Sequence, residues 1–390
     1  MKIAFFGQLL CEAQKTGIAW SAHNLILELV KIPGFECVVQ YFSFPGGEEK
    51  LRELQKYEDA GCRLEPCGWF HFVWYKLLCA LFPVPYRIFF RSAQDITQCF
   101  NFTAPFGAYG KCLTVVHDMA YLACPHTVRR KTRVWLRASM KRSCHYADHI
   151  ITVSEFSKQE IIRYLHVKPE RITVVPNAVD HTRYHPFYSE EQIRDAARAY
   201  GIRGNYFLYL GTIEPRKNLE TLIGAYAKLC MKKEEVPKLV IAGGRGWMCG
   251  SIYQKAEQAR LGNRILFTGY IAQEHSPLLM CGAQAFVFPS AYEGFGMPPL
   301  EAMACGTPVI VSNTAALPEV VGDAGILTDP ESEEALCLAM EKILENEAFR
   351  DNLRTLGLRR AGGFTWEKSA EKLAEVYQKL SMPGGKGIVE

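Results

Sequence analysis

Two glutamates, two adjacent cations and one histidine sit beside glycines or at strand-to-helix junctions, where side chains can meet a small anionic ligand. Glu293 and Glu301 are separated by seven intervening residues within the run 286–311, FVFPSAYEGFGMPPLEAMACGTPVIV. Pro298 and Pro299 pre-set helical φ, and Gly306 suits a left-handed cap past the helix end, so the run predicts strand, glycine loop, short helix and strand. That helix opens beside Gly294 and Gly296 and carries Glu301 in its first turn. Unbonded amides and the positive dipole end attract a phosphate there, and glycines let it approach the backbone. The prolines donate no hydrogen bond, which leaves the amides of Phe295, Gly296, Met297 and Leu300. Arg216 and Lys217 follow a tight Gly211-Thr212 turn in FLYLGTIEPRKNLETL, where a helix is expected to begin. Two cations oppose a helix dipole at that end, and an anion gripped by both would account for them. His117 directly follows the apolar run 113–116 in LTVVHDMAY and is expected to project beyond a strand end; Asp118 beside it is expected only to orient the loop or His117.

The elements that must position these residues recur as a double series. Short apolar, β-rich runs alternate with amphipathic stretches, the pattern of parallel sheets wrapped by helices. Strands are expected at 2–6, 37–42, 97–102, 113–116, 149–153 and 172–175, and then at 206–210, 238–242, 264–267, 285–288, 307–311 and 325–327. Between the two sets, 177–204 holds a Pro-Asn turn, a polar stretch and a charged helix, and reads as the interdomain linker. The expected fold class is α/β, with two doubly wound Rossmann-like domains facing across a cleft. Domains are expected over 1–185 and 186–365, followed by a C-terminal helix within 366–390 packing back on the first domain and ending in a frayed tail. Open α/β sheets bind ligands at the carboxyl ends of their strands, so the chemistry is expected between the domains.

With these motifs in place, the chain resembles the retaining nucleotide-sugar glycosyltransferases of family 4, also called glycosyl transferases group 1, whose fold is GT-B. The E-x7-E spacing of Glu293 and Glu301 carries the resemblance, and VVHDMAY, KTGIA, ADHIITVSEFSKQEII, VVPNAVD and LFTGYI extend it through most of both halves. It implies that Glu293 touches sugar hydroxyls, that Glu301 holds the ribose, and that Arg216 and Lys217 neutralise the donor diphosphate and the charge growing on the leaving group. It also implies that His117 contacts the donor sugar, that Gly17 lets amides face the phosphates, and that the loop with Tyr270 and Ile271 faces the nucleobase. Thr16 stands where the family often has a second glycine, and Asn177–Ala178 replaces the common Asn-Gly. The spelling of 239–247, LVIAGGRGW, and of MPPLEAM is most similar to mannosyl-type members. A GDP-mannose donor is therefore expected ahead of UDP-glucose or a dTDP-sugar.

Other features narrow the class. With 390 residues and 48% hydrophobic composition the chain has material for two cores, and a formal charge of +4 is too mild to argue for nucleic acid. Fourteen cysteines are scattered without any C-x-x-C pair, several inside apolar runs, which suits buried thiols in a reducing, cytoplasmic compartment. No D-x-D or metal-ligand cluster appears, and metal-free chemistry without a cofactor is expected. Gly244-Arg245-Gly246 with Gly250 approaches a dinucleotide fingerprint but has the wrong last spacing. The start MKIAFFGQLLCEAQ reads as a first buried strand rather than a signal peptide, because Gln8 breaks its apolar run. The apolar segment 69–90 is interrupted by His71, Lys76, Pro83, Pro85 and Arg87, so it is not expected to span a membrane. Its aromatics, together with the basic stretch 129–141, suit either core packing with a solvated helix face or peripheral contact with the inner membrane face. The expected partners are a nucleoside-diphosphate sugar and a glycan or lipid-linked saccharide acceptor, in surface polysaccharide synthesis. A nucleotide-sugar 2-epimerase, or a non-catalytic nucleotide- or glycan-binding protein, are the alternative readings.

Overall fold

In a computed structural model that describes residues 1–12, 15–43 and 48–382, the chain forms two compact units. The first comprises Met1–Leu122, Arg130–Asn177 and the segment beginning at Trp366, and the second comprises Ala123–Arg129 and Ala178–Thr365. The division thus falls a little before the 185/186 boundary expected from sequence, and the frayed tail expected at 383–390 lies outside the described residues.

The first unit is built on a seven-stranded, wholly parallel sheet in the order β3-β2-β1-β4-β5-β6-β7. Its strands are β1 (Lys2–Phe6), β2 (Glu36–Phe42), β3 (Arg63–Cys67), β4 (Ile96–Cys99), β5 (Lys111–Val116), β6 (His149–Thr152) and β7 (Ile172–Val174). Strand β3 was absent from the sequence reading. It spells RLEPC, with charges and a proline, because it is an edge strand where a missing N–H at Pro66 breaks no interior ladder. Strand β4 stops at Cys99, short of the expected residue 102, where Phe102 turns the chain at φ 54°. The C-terminal helix, Trp366–Ser381, belongs to this unit and buries Ala370, Leu373, Ala374 and Tyr377, the face read from their spacing. It packs on the Gly17–Leu29 helix, with the Tyr377 hydroxyl donating to Gln98 Oε1 at 3.1 Å and Ser369 to the Pro176 carbonyl at 2.8 Å.

The second unit carries a six-stranded parallel sheet in the order β10-β9-β8-β11-β12-β13. These strands are β8 (Tyr206–Leu210), β9 (Lys238–Ala242), β10 (Ile265–Gly269), β11 (Ala285–Phe288), β12 (Val309–Ser312) and β13 (Gly325–Thr328). Their interior residues Phe207, Leu208, Leu239, Val240, Phe286, Val287 and Ile310 are fully buried, as a sheet covered on both faces requires. A helix at Glu190–Ala199 precedes β8, closed at its start by a capping box between Ser189 and Gln192.

In each sheet the order reverses once, between β1 and β4 in the first and between β8 and β11 in the second. On the β9–β10 side of that second reversal the strand ends are drawn tight. The Gly211 amide donates to the Ala242 carbonyl at 3.0 Å, and the Gly243 amide to the Gly269 carbonyl at 2.8 Å. Gly243 has φ 136°, and a Cβ there would lie 1.9 Å from the Gly211 carbonyl oxygen. Gly243→Ala should therefore lower unfolding free energy by at least about 2 kcal/mol, through backbone strain and a backbone clash together. Urea midpoints of the two proteins check this, and an unchanged midpoint would mean the loop yields freely.

Candidate functional site

The short turn Pro215–Lys217 follows β8, and the loop 289–296 follows β11, its neighbour across the reversal. Backbone and side chain stitch the two loops together. The Ala291 amide donates to the Arg216 carbonyl at 2.9 Å, and the Arg216 guanidinium donates to the Tyr292 carbonyl at 2.6 Å. Arg216 and Lys217 stand in this 3-10 turn ahead of the Leu219–Lys232 helix rather than at its first residue, because Asn218 intervenes at φ 55°.

Four charges meet here. Glu293 bridges both cations, Oε2 lying 2.9 Å from the Arg216 guanidinium and Oε1 2.6 Å from Lys217 Nζ. Glu214 Oε1 takes the other side of Arg216 at 2.8 Å, and the Ser290 hydroxyl donates to Glu293 Oε1 at 2.5 Å. Lys217 Nζ also sits 4.8 Å above the Phe288 ring, which stacks on Tyr209. The sequence reading supplied these cations with an anion from a ligand; the protein supplies one itself, and the cluster is charge-balanced. Burial alone would raise the Glu293 carboxyl, but Arg216, Lys217 and the Lys217 and Ser290 hydrogen bonds outweigh it and hold it at about 2. Burial and the neighbouring Arg216 lower Lys217, against the pull of Glu293.

The Met297–Ala304 helix starts as expected after Gly296, whose φ of 113° needs glycine, and Gly306 ends it at φ 71°. Two details correct the sequence reading. The Leu300 amide is already committed to the Gly296 carbonyl, as the fourth residue of a helix allows, so the amides at the helix start are those of Phe295, Gly296 and Met297. Glu301 is the fifth residue of the helix, just past the first turn in which it was expected, since the helix begins at Met297. Burial raises its carboxyl to about 7, opposed by Arg183 and by a hydrogen bond with Tyr184. At the end of β10, Tyr270 is exposed while Ile271 is buried. Thr212, beside Gly211, is exposed.

Gly17 and His117 belong to the first unit. Gly17 opens the Gly17–Leu29 helix, and Thr16, standing where a second glycine was expected, caps it by accepting the Ala19 amide at 3.5 Å. His117 follows β5 and is buried, with Nε2 2.8 Å from the Phe100 carbonyl. A carbonyl only accepts, so Nε2 carries the proton and Nδ1 holds the lone pair of a neutral ring. Burial lowers its basicity, against the Phe100 contact and Asp118, which keeps the ring neutral near pH 7. Asp118 itself accepts the Ala120 amide at 2.9 Å, which fixes the loop.

Sequence reasoning missed Glu214 and Ser290. The spelling E-P-R-K held the first signal: an acid two residues before Arg216, across a proline that starts a turn. Glu214 is 2% exposed and its Oε2 has no hydrogen-bond partner. Because Glu293 is held at about 2 rather than 4.5, its ionisation contributes stability that is complete above about pH 4.5 and is lost as pH falls toward 2. Glu293→Gln should then cost about 3 kcal/mol at pH 7, by leaving two cations short of a buried partner, and the gap to the parent should narrow between pH 4.5 and 2. Urea unfolding across that range measures it; a gap independent of pH would mean that the carboxylate is not held ionised by the pair.

With the geometry described, comparison with known proteins is informative. Residues 192–360 match the family model "Glycosyl transferases group 1", and residues 15–183 match "Glycosyltransferase Family 4". The chain is 35% identical to O-antigen chain mannosyltransferase B of Escherichia coli over 69% of its own length and 71% of the relative's. It is 34% identical to the serotype-specific mannosyltransferase WbdA of E. coli, but spans only 29% of that protein. Among solved structures, Anabaena HepE in complex with UDP and glucose superposes with TM-score 0.73 at 19% identity, covering 97% of this chain and 99% of that one. The lipopolysaccharide-biosynthesis glycosyltransferase WaaG superposes at 0.68 with 15% identity, covering 97% and 99%. Two parallel Rossmann-like sheets, the matched family models and the mannosyltransferase relatives place this chain in family 4 of the glycosyltransferases, with the GT-B fold.

Proposed function

We propose that this glycosyltransferase is a metal-independent, retaining mannosyltransferase that moves mannose from GDP-mannose to a glycan or lipid-linked acceptor during surface polysaccharide synthesis. The observation that carries this reading is the Arg216–Lys217–Glu293 cluster at the β8/β11 reversal, in a chain whose relatives are named mannosyltransferases. Arg216 and Lys217 bind the donor diphosphate and stabilise charge on the departing phosphate, a role that needs no metal because two fixed cations supply it. Glu293, released toward the sugar, accepts its hydroxyls, and Glu301 holds the ribose. His117 offers its Nδ1 lone pair to a sugar hydroxyl. A carboxylate gripped by two cations and a serine hydroxyl is a weak nucleophile, which favours a same-face route over a covalent glycosyl-enzyme.

A thermal-shift panel of GDP, UDP, dTDP and ADP tests the donor. A ligand at one hundred times its Kd adds about 2.7 kcal/mol of stability, so GDP should raise Tm most. A larger shift with UDP or dTDP would replace GDP-mannose by UDP-glucose or a dTDP-sugar. Arg216→Ala and Lys217→Ala should each lower kcat/KM about tenfold or more, since a charged hydrogen bond is worth roughly 1.5–3 kcal/mol. Activity should survive EDTA, and the product anomer, read by NMR, should match that of the donor. An inverted product or an absolute requirement for added Mg²⁺ would overturn the mechanism.

Peripheral membrane contact belongs to the same proposal. Trp69, Val73, Trp74, Leu77 and Phe82 are exposed on and beside the Phe72–Leu81 helix. Exposed Arg130, Lys131, Arg137 and Lys141 line the Arg130–Tyr146 helix. Among the described residues no helix is long and apolar enough to cross a membrane. The protein should pellet with anionic liposomes at low salt and be released as salt screens the attraction. Equal recovery in the supernatant with anionic and neutral liposomes would refute this contact.

A further inference from the structure

The first unit has its own reversal, and a cavity of about 270 Å³ opens there, at the carboxyl ends of β1 and β4. Phe6 ends β1, Cys99 ends β4, and both line the cavity. The remaining wall interleaves aromatic rings, with Phe72, Tyr75, Phe100 and Trp135 prominent, with polar side chains such as Asn101, Thr103 and Ser139. Ring packing behind it is continuous. Tyr75 lies 4.8 Å from Phe42 and 6.2 Å from Phe6, within a core cluster that also buries Tyr86, Phe89 and Phe90. The walls are therefore held by the core of the unit.

The basic lining residues come from the Phe72–Leu81 and Arg130–Tyr146 helices. Lys76 Nζ lies 5.3 Å above the Trp135 ring and 5.7 Å from that of Phe72, and Arg142 donates to the Cys79 carbonyl at 2.9 Å. A shallow depression lined by Arg130, Lys131, Val134, Trp135 and Ala138 shares Trp135 with the cavity. Glu12 is the only carboxylate among the described lining residues, and the Arg130–Tyr146 helix carries no acid at all. Gln8, Asn101, Thr103, Ser139 and Ser143 add polar groups to the wall, so a saccharide without a hydrocarbon chain is the competing occupant that the test must separate. An apolar chain ending in an anion matches both surfaces: hydrocarbon against the rings, phosphate against the basic strip.

We infer that this cavity binds the hydrocarbon chain of a phosphate-bearing isoprenoid or acyl lipid, the anchor of the sugar acceptor. The inference deepens the acceptor part of the proposed function and rests on that reading. At about 30 Å³ per carbon-sized group, the volume of a water molecule in the liquid, the cavity holds roughly nine carbons. Phe100 forms part of the wall and its carbonyl holds His117, so the anchor lies beside the residue assigned to a sugar hydroxyl.

Calorimetry with soluble prenyl phosphates below their micelle concentration tests this without a bilayer. Farnesyl phosphate (fifteen carbons) should bind one-to-one and at least tenfold more tightly than dimethylallyl phosphate (five carbons), since a buried methylene contributes up to about a fourfold gain. Inorganic phosphate should show no comparable binding. Ser139→Trp, which fills the cavity from its wall, should weaken farnesyl phosphate at least tenfold. Should that variant not fold, Trp135→Phe decides the location: the tryptophan fluorescence change on adding farnesyl phosphate should be lost. Equal affinity for the two chain lengths, undiminished binding to a folded Ser139→Trp protein, or an unchanged fluorescence response in Trp135→Phe would each overturn the inference. GDP binding is measured in parallel on the same protein. Normal nucleotide binding with no chain-length dependence defeats this inference alone, whereas chain-dependent binding without any nucleotide binding defeats the proposed donor chemistry and leaves the lipid site standing.

Discussion

Parallel strands cannot be joined by tight hairpins, and every connection must cross the sheet and return to the same edge. Where successive crossovers run to opposite sides, the carboxyl ends of two adjacent strands are left with no connection over them. This constraint operates once in each unit, at β1/β4 and at β8/β11, and the residues that can do chemistry follow it. Arg216 follows β8 and Glu293 follows β11. Their contact does not depend on closeness in sequence; it follows from the pairing of Ala285 with Phe207 and of Phe286 with Leu208 in neighbouring strands. Gly243, at the end of β9, lets its backbone approach the Gly211 carbonyl where a Cβ would hold the two apart.

What forms at the second reversal is a balanced cluster of charges. Two cations and two carboxylates removed from water are costly unless their geometry is good and the remaining lone pairs are met. Here Glu293 is met by Arg216, Lys217 and Ser290, and Arg216 by Glu214 and the Tyr292 carbonyl. The cluster therefore needs no ligand for its charge balance. A diphosphate would compete with Glu293 for the same donors, so its arrival would also free a carboxylate. On the proposed reading, that exchange couples binding of the phosphates to presentation of Glu293 to the sugar.

Much of this was legible in the sequence because the relevant signals are local. Eleven of the strands expected from apolar runs coincide closely with observed ones, and the twelfth, 97–102, is cut short by Phe102. The helix after the prolines and the cap at Gly306 follow from fixed φ and a missing Cβ. What escaped depends on neighbours. Strand β3 looks unlike a strand because an edge position tolerates Arg63, Glu65 and Pro66, and only the sheet order reveals that position. The anion of Arg216 and Lys217 was sought in a ligand because Glu293 lies 76 residues from Lys217, and nothing in the spelling of either loop announces their pairing.

The aromatic stretch 69–90 shows the same limit from the other side. Composition offered core packing or a surface for membrane as alternatives, and the fold buries some of these residues while leaving others exposed. Tyr75, Tyr86, Phe89 and Phe90 enter the core beneath the sheet edge, while Trp69, Trp74, Leu77 and Phe82 remain exposed. Helical spacing produces this division: Tyr75 faces inward, whereas Val73, Trp74 and Leu77 share the opposite face. The buried rings are what keep the first reversal open as a cavity, since a wall of interlocked aromatics cannot collapse without disrupting its own core. One topological constraint thus yields two kinds of recess. The second unit fills its recess with paired charge, and the first lines its recess with rings interleaved with polar groups and a basic margin.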